Sequence, residues 1–319
     1  LDLLDIQGLT THFFTRAGVI KAVEDLSLRL QKGLVLGLVG ESGCGKTVTA
    51  LSILNLVPPP GKIVAGNIFF EGRDLLMLSP EEMRSIRGAR ISMIFQEPMT
   101  ALNPVFTVGN QIAEVLTTHR TNTKKEAMDA AVELLRTVGI PSPEKRVHEY
   151  PHQLSGGMRQ RVMIAMAIAC KPALILADEP TTALDVTIQA HILELLGRIQ
   201  AEMGMAMIMV THDLGLIAER AHTVAVMYAG RIVEQTETRE LFANPRHPYT
   251  RGLMASIPKP GEEGRKRLRT IAGSVPRLSD LPKGCTFSPR CEIKTGECEV
   301  EPKLIEVKPG HLVRCWEAK

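Results

Sequence analysis

The run Gly40-Glu41-Ser42-Gly43-Cys44-Gly45-Lys46-Thr47 constrains this chain more than any other feature. It fits the spacing G-x-x-x-x-G-K-[ST] and lies between an apolar stretch, Leu34 to Val39, and a helical stretch from Thr47 to about Leu56. Strand, glycine-rich loop, helix is the context in which that spacing has a mechanism. The glycines let the backbone curl so that several N–H groups point at phosphate oxygens, and the helix N-terminus adds partial positive charge. Lys46 is placed to neutralise β- and γ-phosphates, and the Thr47 hydroxyl to hold Mg²⁺. Gly40, Ser42, Gly43, Cys44 and Gly45 complete the cradle. Cys44 sits at a variable position of the loop and reads as a small filler rather than a nucleophile.

The surrounding chain supplies a scaffold for such a loop. Val23 to Leu30 alternates apolar and polar residues, as a half-buried strand does, and Gln31-Lys32-Gly33 is a turn. Pro58-Pro59-Pro60-Gly61 stops the helix that follows the loop. Lys124 to Val138 reads as a helix with Met128, Val132 and Leu135 on one side; Met158 to Ala169 is apolar nearly all round and reads as a buried helix. Leu174 to Ala177 and Met205 to Val210 are short buried strands, and Ile188, Ile192, Leu195, Leu196, Ile199 and Met203 recur at helical spacing between them. His222 to Tyr228 and Arg231 to Gln235 form a hairpin turning at Ala229-Gly230. Strands alternating with helices imply an α/β fold with a mostly parallel sheet covered on both faces. Helices alone fill about Glu97 to Lys171, an inserted lobe; beyond about Thr236 proline and glycine become frequent and periodicity fades.

Two further constellations fit the loop. The apolar strand Leu174 to Ala177 ends in Asp178-Glu179-Pro180. Asp178 is the carboxylate expected to bind Mg²⁺ through water, and Glu179 the one expected to orient or deprotonate an attacking water. Most Asp-Glu pairs are solvated surface; this one is aimed by a buried strand at a site the loop already defines. Leu154-Ser155-Gly156-Gly157-Met158-Arg159-Gln160 opens the buried helix, and a Ser-Gly-Gly helix start is a second phosphate-binding end. By itself it would be ordinary capping.

Taken together these motifs closely resemble the ABC ATPases. Gln96 after Ile91 to Phe95 is similar to the family's Q-loop glutamine, Ala183-Leu184-Asp185 to its D-loop, His212 after Met205 to Val210 to its switch histidine, and Phe13, or its neighbour Phe14, to the aromatic that stacks on adenine. The resemblance covers about residues 1–235 and implies a P-loop, RecA-like ATPase core (1–96 and 172–235) with an inserted helical subdomain (97–171). It implies ATP and Mg²⁺ as ligands, with Thr47, Gln96 and Asp178 toward the metal. It further implies catalytic roles for Glu179, His212 and Gln96, and a head-to-tail dimer. There Ser155, Gly156, Gly157 and Asp185 of one subunit complete the nucleotide site of the other.

The remaining 236–319 narrows the resemblance. Asn244-Pro245-Arg246-His247-Pro248-Tyr249-Thr250 is followed by Cys285, Cys291, Cys298 and Cys315, with five, six and sixteen residues between them. Four thiols in a chain with no basic-then-apolar leader point to a metal centre rather than disulfides. Gln96 to Pro104, His247-Pro248-Tyr249 and Gly284 to Cys291 resemble the ATPase subunits of oligopeptide, dipeptide and nickel importers. Some of those carry an iron–sulfur cluster on cysteines of this spacing. A 4Fe-4S cluster on Cys285, Cys291, Cys298 and Cys315, in a small irregular C-terminal metal-binding extension, is therefore expected. Zinc is the alternative, against which the spacing is wider than a usual zinc knuckle. Glu292 stands where the group often has proline.

The implied partners are two membrane permease subunits, a second homologous ATPase (heterodimer favoured, homodimer possible) and an extracytoplasmic solute-binding protein. The implied place is the cytoplasmic face of a prokaryotic inner membrane. Nickel, heme precursors or glutathione are alternative cargoes. The alternatives of another class are a soluble ABC ATPase of DNA repair or translation and a non-hydrolysing regulatory subunit. The first usually brings a second ATPase unit or large insertions; the second, degraded motifs. Composition agrees with a globular chain: 319 residues, 44% hydrophobic and 23% charged, exclude disordered and collagen-like classes. Its longest apolar stretch, Val162 to Cys170, is far short of a membrane span. The chain opens at Leu1 rather than Met, and with no leader it is expected to stay in the cytosol unless a partner tethers it. A net charge of +3, without a basic groove and interleaved aromatics, gives no footprint for nucleic acid. Gly264 to Arg269 is a short basic run, either a solvated linker or a contact for anionic headgroups.

Overall fold

A computed structural model describes residues 2–120, 123–182, 184–256 and 271–318. In chain order the first elements are β1 (Asp2–Thr15), β2 (Gly18–Gln31), β3 (Val35–Val39), α1 (Lys46–Ile53), β4 (Gly61–Phe70) and β5 (Arg73–Asp74). Next come α2 (Pro80–Ile86), β6 (Ile91–Ile94), α3 (Pro98–Ala101), α4 (Val108–His119), α5 (Lys124–Thr137), α6 (Pro143–Arg146) and α7 (Gly156–Ile168). Then follow β7 (Leu174–Asp178), α8 (Val186–Met203), β8 (Ala206–Thr211), α9 (Leu214–Arg220), β9 (Thr223–Tyr228) and β10 (Arg231–Glu237). The last are α10 (Thr238–Ala243), α11 (Pro248–Ala255), β11 (Ile305–Lys308) and β12 (His311–Val313). The basic run at 264–269 and Ala183 lie outside the described residues. Among the described residues no helix is long and apolar enough to cross a membrane.

Two compact units emerge, 1–30 with 35–76 and 209–319, and 31–34 with 77–208. The first contains a four-stranded sheet of order β2-β1-β4-β5. β1 pairs antiparallel with β4, from Leu4 opposite Phe70 to Phe13 opposite Gly61, with the register slipping between Gln7 and Thr11. Asp25 has φ 50°, and this left-handed residue re-phases β2 so that Val23 and then Leu26, Leu28 and Leu30 all face the core. Buried Thr11 is satisfied by the Ser52 hydroxyl at 2.9 Å. This antiparallel sheet was not expected; the strands read as a parallel sheet do pair in parallel where β3 meets β9 and β6 meets β7. The irregular register of β1 and its buried threonines break the period-2 pattern by which a strand is recognised.

In the same unit β3 pairs parallel with β9, and β9 antiparallel with β10. The predicted hairpin turns where expected: Ala229 and Gly230 have φ of 46° and 85°, the two positive values a two-residue turn of this hand requires. The final strands were not expected. β12 pairs antiparallel with β10, Glu234 opposite Val313, and β11 pairs with β12. A boundary near 235 therefore falls inside a strand, and residues beyond it return to the sheet.

In the second unit β6 and β7 pair in parallel, Ile91 opposite Leu174 through Ile94 opposite Ala177. Every residue of β7 is buried. α7 is buried as its composition demands, with Val162, Ile164, Ala165 and Ile168 excluded from solvent. Ala113, Leu116, Ala127 and Ala169 form a cluster among the helices. α8 is capped by the Asp185 side chain and ends at Gly204 in the left-handed conformation.

Candidate nucleotide site

The phosphate loop joins β3 to α1 in the first unit. A Cβ on Gly40 would lie 2.2 Å from the Met227 carbonyl oxygen, so only glycine lets the loop pass β9. Gly45, at φ 109°, starts α1 from a conformation side chains avoid. Lys46 is 5% exposed, and its Nζ donates to the carbonyl oxygens of Gly40 at 2.8 Å and Glu41 at 3.1 Å. The ammonium is thus held against the first two residues of the loop by groups that a phosphate oxygen can replace. Ser42 and Thr47 are exposed at the loop and at the first turn of α1. Cys44 is fully buried, and burial pushes its thiol up, in keeping with a packing role. His212 is exposed directly after β8. Phe13 lies opposite Gly61, where a Cβ would come within 2.7 Å of its ring; Phe14 is 46% exposed.

The second unit brings together residues far apart in sequence. Asp178 ends β7 and is 2% exposed. Glu179 follows at φ 44°, a left-handed conformation that costs a non-glycine residue about 1–2 kcal/mol. Its carboxylate accepts from Gln96 Nε2 at 3.1 Å and from the Thr182 hydroxyl at 2.9 Å. Gln96 and Glu179, singled out separately by sequence, are therefore direct partners. Thr182 was missed; its signal is a hydroxyl three residues after Glu179, in a turn closed by Thr182 N–H to the Glu179 carbonyl at 3.1 Å.

Ser155 caps α7, its hydroxyl accepting from Met158 N–H at 3.3 Å, and it is exposed. Asp185 caps α8 in the same way, accepting from Ile188 N–H at 2.9 Å. The two helix starts are neighbours: a Cβ on Gly157 would meet Ile188 at 2.8 Å and one on Gly156 would meet Leu184 at 3.6 Å. A side chain at Gly157 would therefore crowd Ile188 where α7 passes α8, apart from any part the glycine plays at a phosphate.

The segment after β10 is built on buried polar contacts. Glu234, fully buried, accepts from the backbone N–H groups of Arg246 at 2.7 Å and His247 at 2.9 Å, and from His311 Nε2 at 2.8 Å. His247 caps α11, with Nδ1 accepting from Tyr249 N–H at 3.0 Å; this needs a neutral ring, and burial lowers its pKa to about 3. Tyr228, Tyr249 and Phe287 pack with ring centroids 4.7–5.5 Å apart. The Tyr249 hydroxyl accepts from Glu41 N–H at 2.9 Å, and Arg290 forks onto the Glu41 carboxylate at 2.7 and 3.2 Å. Tyr249 and Arg290 lie inside the motifs at 247–249 and 284–291, but nothing local in the chain points to their contact with the loop.

Cys285, Cys291, Cys298 and Cys315 are free thiols, and Cys285 N–H donates to the Cys298 carbonyl at 2.9 Å. Burial, reinforced by the nearby thiols of Cys298, Cys315 and Cys291, pushes Cys285 up to about 11; Cys291 and Cys315 are pushed up in the same way. Among the described residues no three His, Cys, Asp or Glu side chains converge as ligands of a single metal ion.

Known proteins match both parts of the chain. The family described as ABC transporter matches residues 23–182, and the oligopeptide/dipeptide transporter C-terminal region matches 233–298. The chain is 52% identical to the dipeptide transport ATP-binding protein DppD of Haemophilus influenzae over 99% of its own length and 95% of the relative's. It is equally 52% identical to a probable peptide ABC transporter ATP-binding protein of Sinorhizobium fredii, over 99% and 95%. Among solved structures it is similar to the ATP-binding cassette MJ0796, in a dimeric post-hydrolysis state bound to ADP and Pi. That likeness has a TM-score of 0.67 and 26% identity, and covers 74% of this chain and 99% of that one. With phosphate loop, carboxylate pair, Ser-Gly-Gly helix start and C-terminal region accounted for, the chain belongs to the ABC transporter family of ATP-binding proteins.

Proposed function

We propose that this chain is the ATP-binding and ATP-hydrolysing subunit that powers an importer of di- or oligopeptides. The observation that carries this reading is the match to dipeptide and peptide transport ATP-binding proteins over 99% of the chain, C-terminal region included. Two membrane permeases, a second related ATPase and an extracytoplasmic solute-binding protein are the partners such a machine requires. They place the subunit peripherally on the cytoplasmic face of a prokaryotic membrane. Gln96 senses the nucleotide and lies near the surface that meets the permeases.

Within this reading the loop at 40–47 binds the phosphates, Lys46 moves from its carbonyl partners to phosphate oxygens, and Phe13 or Phe14 stacks on the base. Thr47, Gln96 and Asp178 offer oxygen donors of the kind Mg²⁺ prefers. When bound, the ion neutralises phosphate charge. Glu179, oriented by Gln96 and Thr182, takes the proton of the attacking water, and His212 senses the γ-phosphate. Ser155, Gly156, Gly157 and Asp185 act on the nucleotide of the partner ATPase. ATP favours the closed pair and its hydrolysis removes that preference, so the cycle is a population shift driven by differential affinity.

The four cysteines are assigned to a 4Fe-4S cluster. Four thiols within electrostatic reach of one another supply the donor set. Zinc draws thiols to about 3.8 Å from one another, given zinc–sulfur bonds of ~2.3 Å, whereas a cluster binds each thiol at a separate iron. The sequence spacing of the four cysteines, wider than that of a zinc knuckle, is the support for the cluster over zinc. Anaerobic purification with iron, sulfide and zinc analysis is expected to give iron and sulfide in wild type and a loss of both in Cys298→Ser. Zinc without iron would replace the cluster with the alternative, and neither metal would end the assignment.

The importer reading is tested by gentle detergent capture of the subunit from its native membrane, with mass spectrometry of what it retains. Two multi-span permeases, a second ATPase and a solute-binding protein are expected. Recovery with ribosomal or DNA-repair proteins and no permease would leave an ATPase of the family but not an importer.

A further inference from the structure

Glu41 is an acid in a loop that has to receive a polyanion, and the structure holds it at three points. Its N–H donates to the Tyr249 hydroxyl at 2.9 Å, its carbonyl accepts from Lys46 at 3.1 Å, and its carboxylate is forked by Arg290 at 2.7 and 3.2 Å. The Arg290 side chain is 4% exposed and that of Glu41 29%. Arg290 is itself fixed: Nε donates to the Ala272 carbonyl at 3.0 Å, and the guanidinium lies 5.8 Å from the centre of the Tyr228 ring. It closes the turn between two of the four cysteines, where Ser288 N–H donates to the Cys285 carbonyl at 3.0 Å and Arg290 N–H to the Phe287 carbonyl at 2.9 Å. A planar, two-point contact of this kind fixes orientation as well as charge.

We propose that Arg290 is a positioning residue for the nucleotide: it neutralises the Glu41 carboxylate, so that the phosphate loop binds a triphosphate more tightly while the cysteine-bearing turn is in place. This rests on the reading of residues 40–47 as the cradle for ATP phosphates. Without Arg290 the phosphate loop carries an unpaired carboxylate, whose charge opposes that of the incoming phosphates. The cost falls on ATP binding, because Arg290 is aimed at Glu41 and carries no part in the proton transfer assigned to Glu179.

The test is ATP affinity by titration calorimetry on the purified full chain, for wild type, Lys46→Ala, Arg290→Gln, Glu41→Gln and the double variant Glu41→Gln/Arg290→Gln. Arg290→Gln is expected to raise the Kd about tenfold, the low end of the scale for hydrogen bonds to a charged group. The double variant is expected to return to within about threefold of wild type, because no charged group is then left without its partner. The loss in Arg290→Gln should also shrink as salt screens the orphaned carboxylate, which a packing defect would not do. If Arg290→Gln does not fold, as judged by its thermal melt, the comparison moves to Glu41→Gln against the double variant. Equal affinities support the charge-pair role and a weaker double variant overturns it. Wild-type affinity in Arg290→Gln, or a double variant no tighter than Arg290→Gln, also overturns the proposal. Failure of wild type to bind ATP, or wild-type affinity in Lys46→Ala, would remove the site reading beneath it.

Discussion

Replacing Glu179 with glutamine is expected to lower ATP turnover of the assembled transporter by about 10²–10⁴, the usual scale for loss of a general base, with ATP binding retained. The substitution is nearly isosteric. Glu179 accepts from Gln96 and from the Thr182 hydroxyl. Both donors meet one carboxylate oxygen, Oε2, so a glutamine whose carbonyl takes that place keeps both contacts. The basic oxygen is lost while the side chain keeps its place. Steady-state hydrolysis measured beside equilibrium ATP binding separates the two effects. Turnover near wild type would remove Glu179 from the chemistry and leave its left-handed backbone without a functional reason.

The largest stability effect is expected at Glu234. One buried carboxylate there receives two backbone N–H groups and an imidazole. Glu234→Ala leaves all three donors in a dry interior, a loss of about 3–5 kcal/mol on the scale for breaking buried charged networks. The melting temperature should fall by roughly 10 °C. Glu234→Gln keeps one acceptor oxygen and should fall between. A melting temperature for Glu234→Ala within a degree or two of wild type would mean that water reaches these donors.

The two expectations differ in how visible they were in the sequence. Glu179 was legible because it stands at the end of a buried apolar strand, next to a second carboxylate, in a chain that already carries a phosphate loop. Gln96, Ser155 and Asp185 were legible for similar reasons, each standing where a regular element begins or ends. Glu234 was not, since it occupies an unremarked place in a hairpin strand and its partners are 12, 13 and 77 residues away. The same holds for Arg290 and Glu41, 249 residues apart. Their motifs carried the residue types but not the pairing, which depends on how the chain returns. Local periodicity also missed β1 and β4, whose slipped register disguises alternation, and β12, too short to show a period. The helical stretches came out within a few residues because capping and apolar spacing are written locally: Lys124 to Val138 was expected and α5 ends one residue earlier, behind its Thr123–Glu126 capping box.

The return of β12 to β10 also has a meaning in time. β10 is complete long before the residues that cover it exist: Glu234 meets His311 across 77 positions of chain, and the Val233 carbonyl waits for Arg314 N–H. At a synthesis rate of about 5–20 residues per second, that interval is roughly 4–15 s on the ribosome. Through it the outer side of β10 offers unpaired peptide groups beside a buried acid, a template for any neighbouring strand. The nascent protein is therefore open to misassociation until residues 311–314 have emerged, a hazard set by the order of the sequence rather than by the stability of the finished fold.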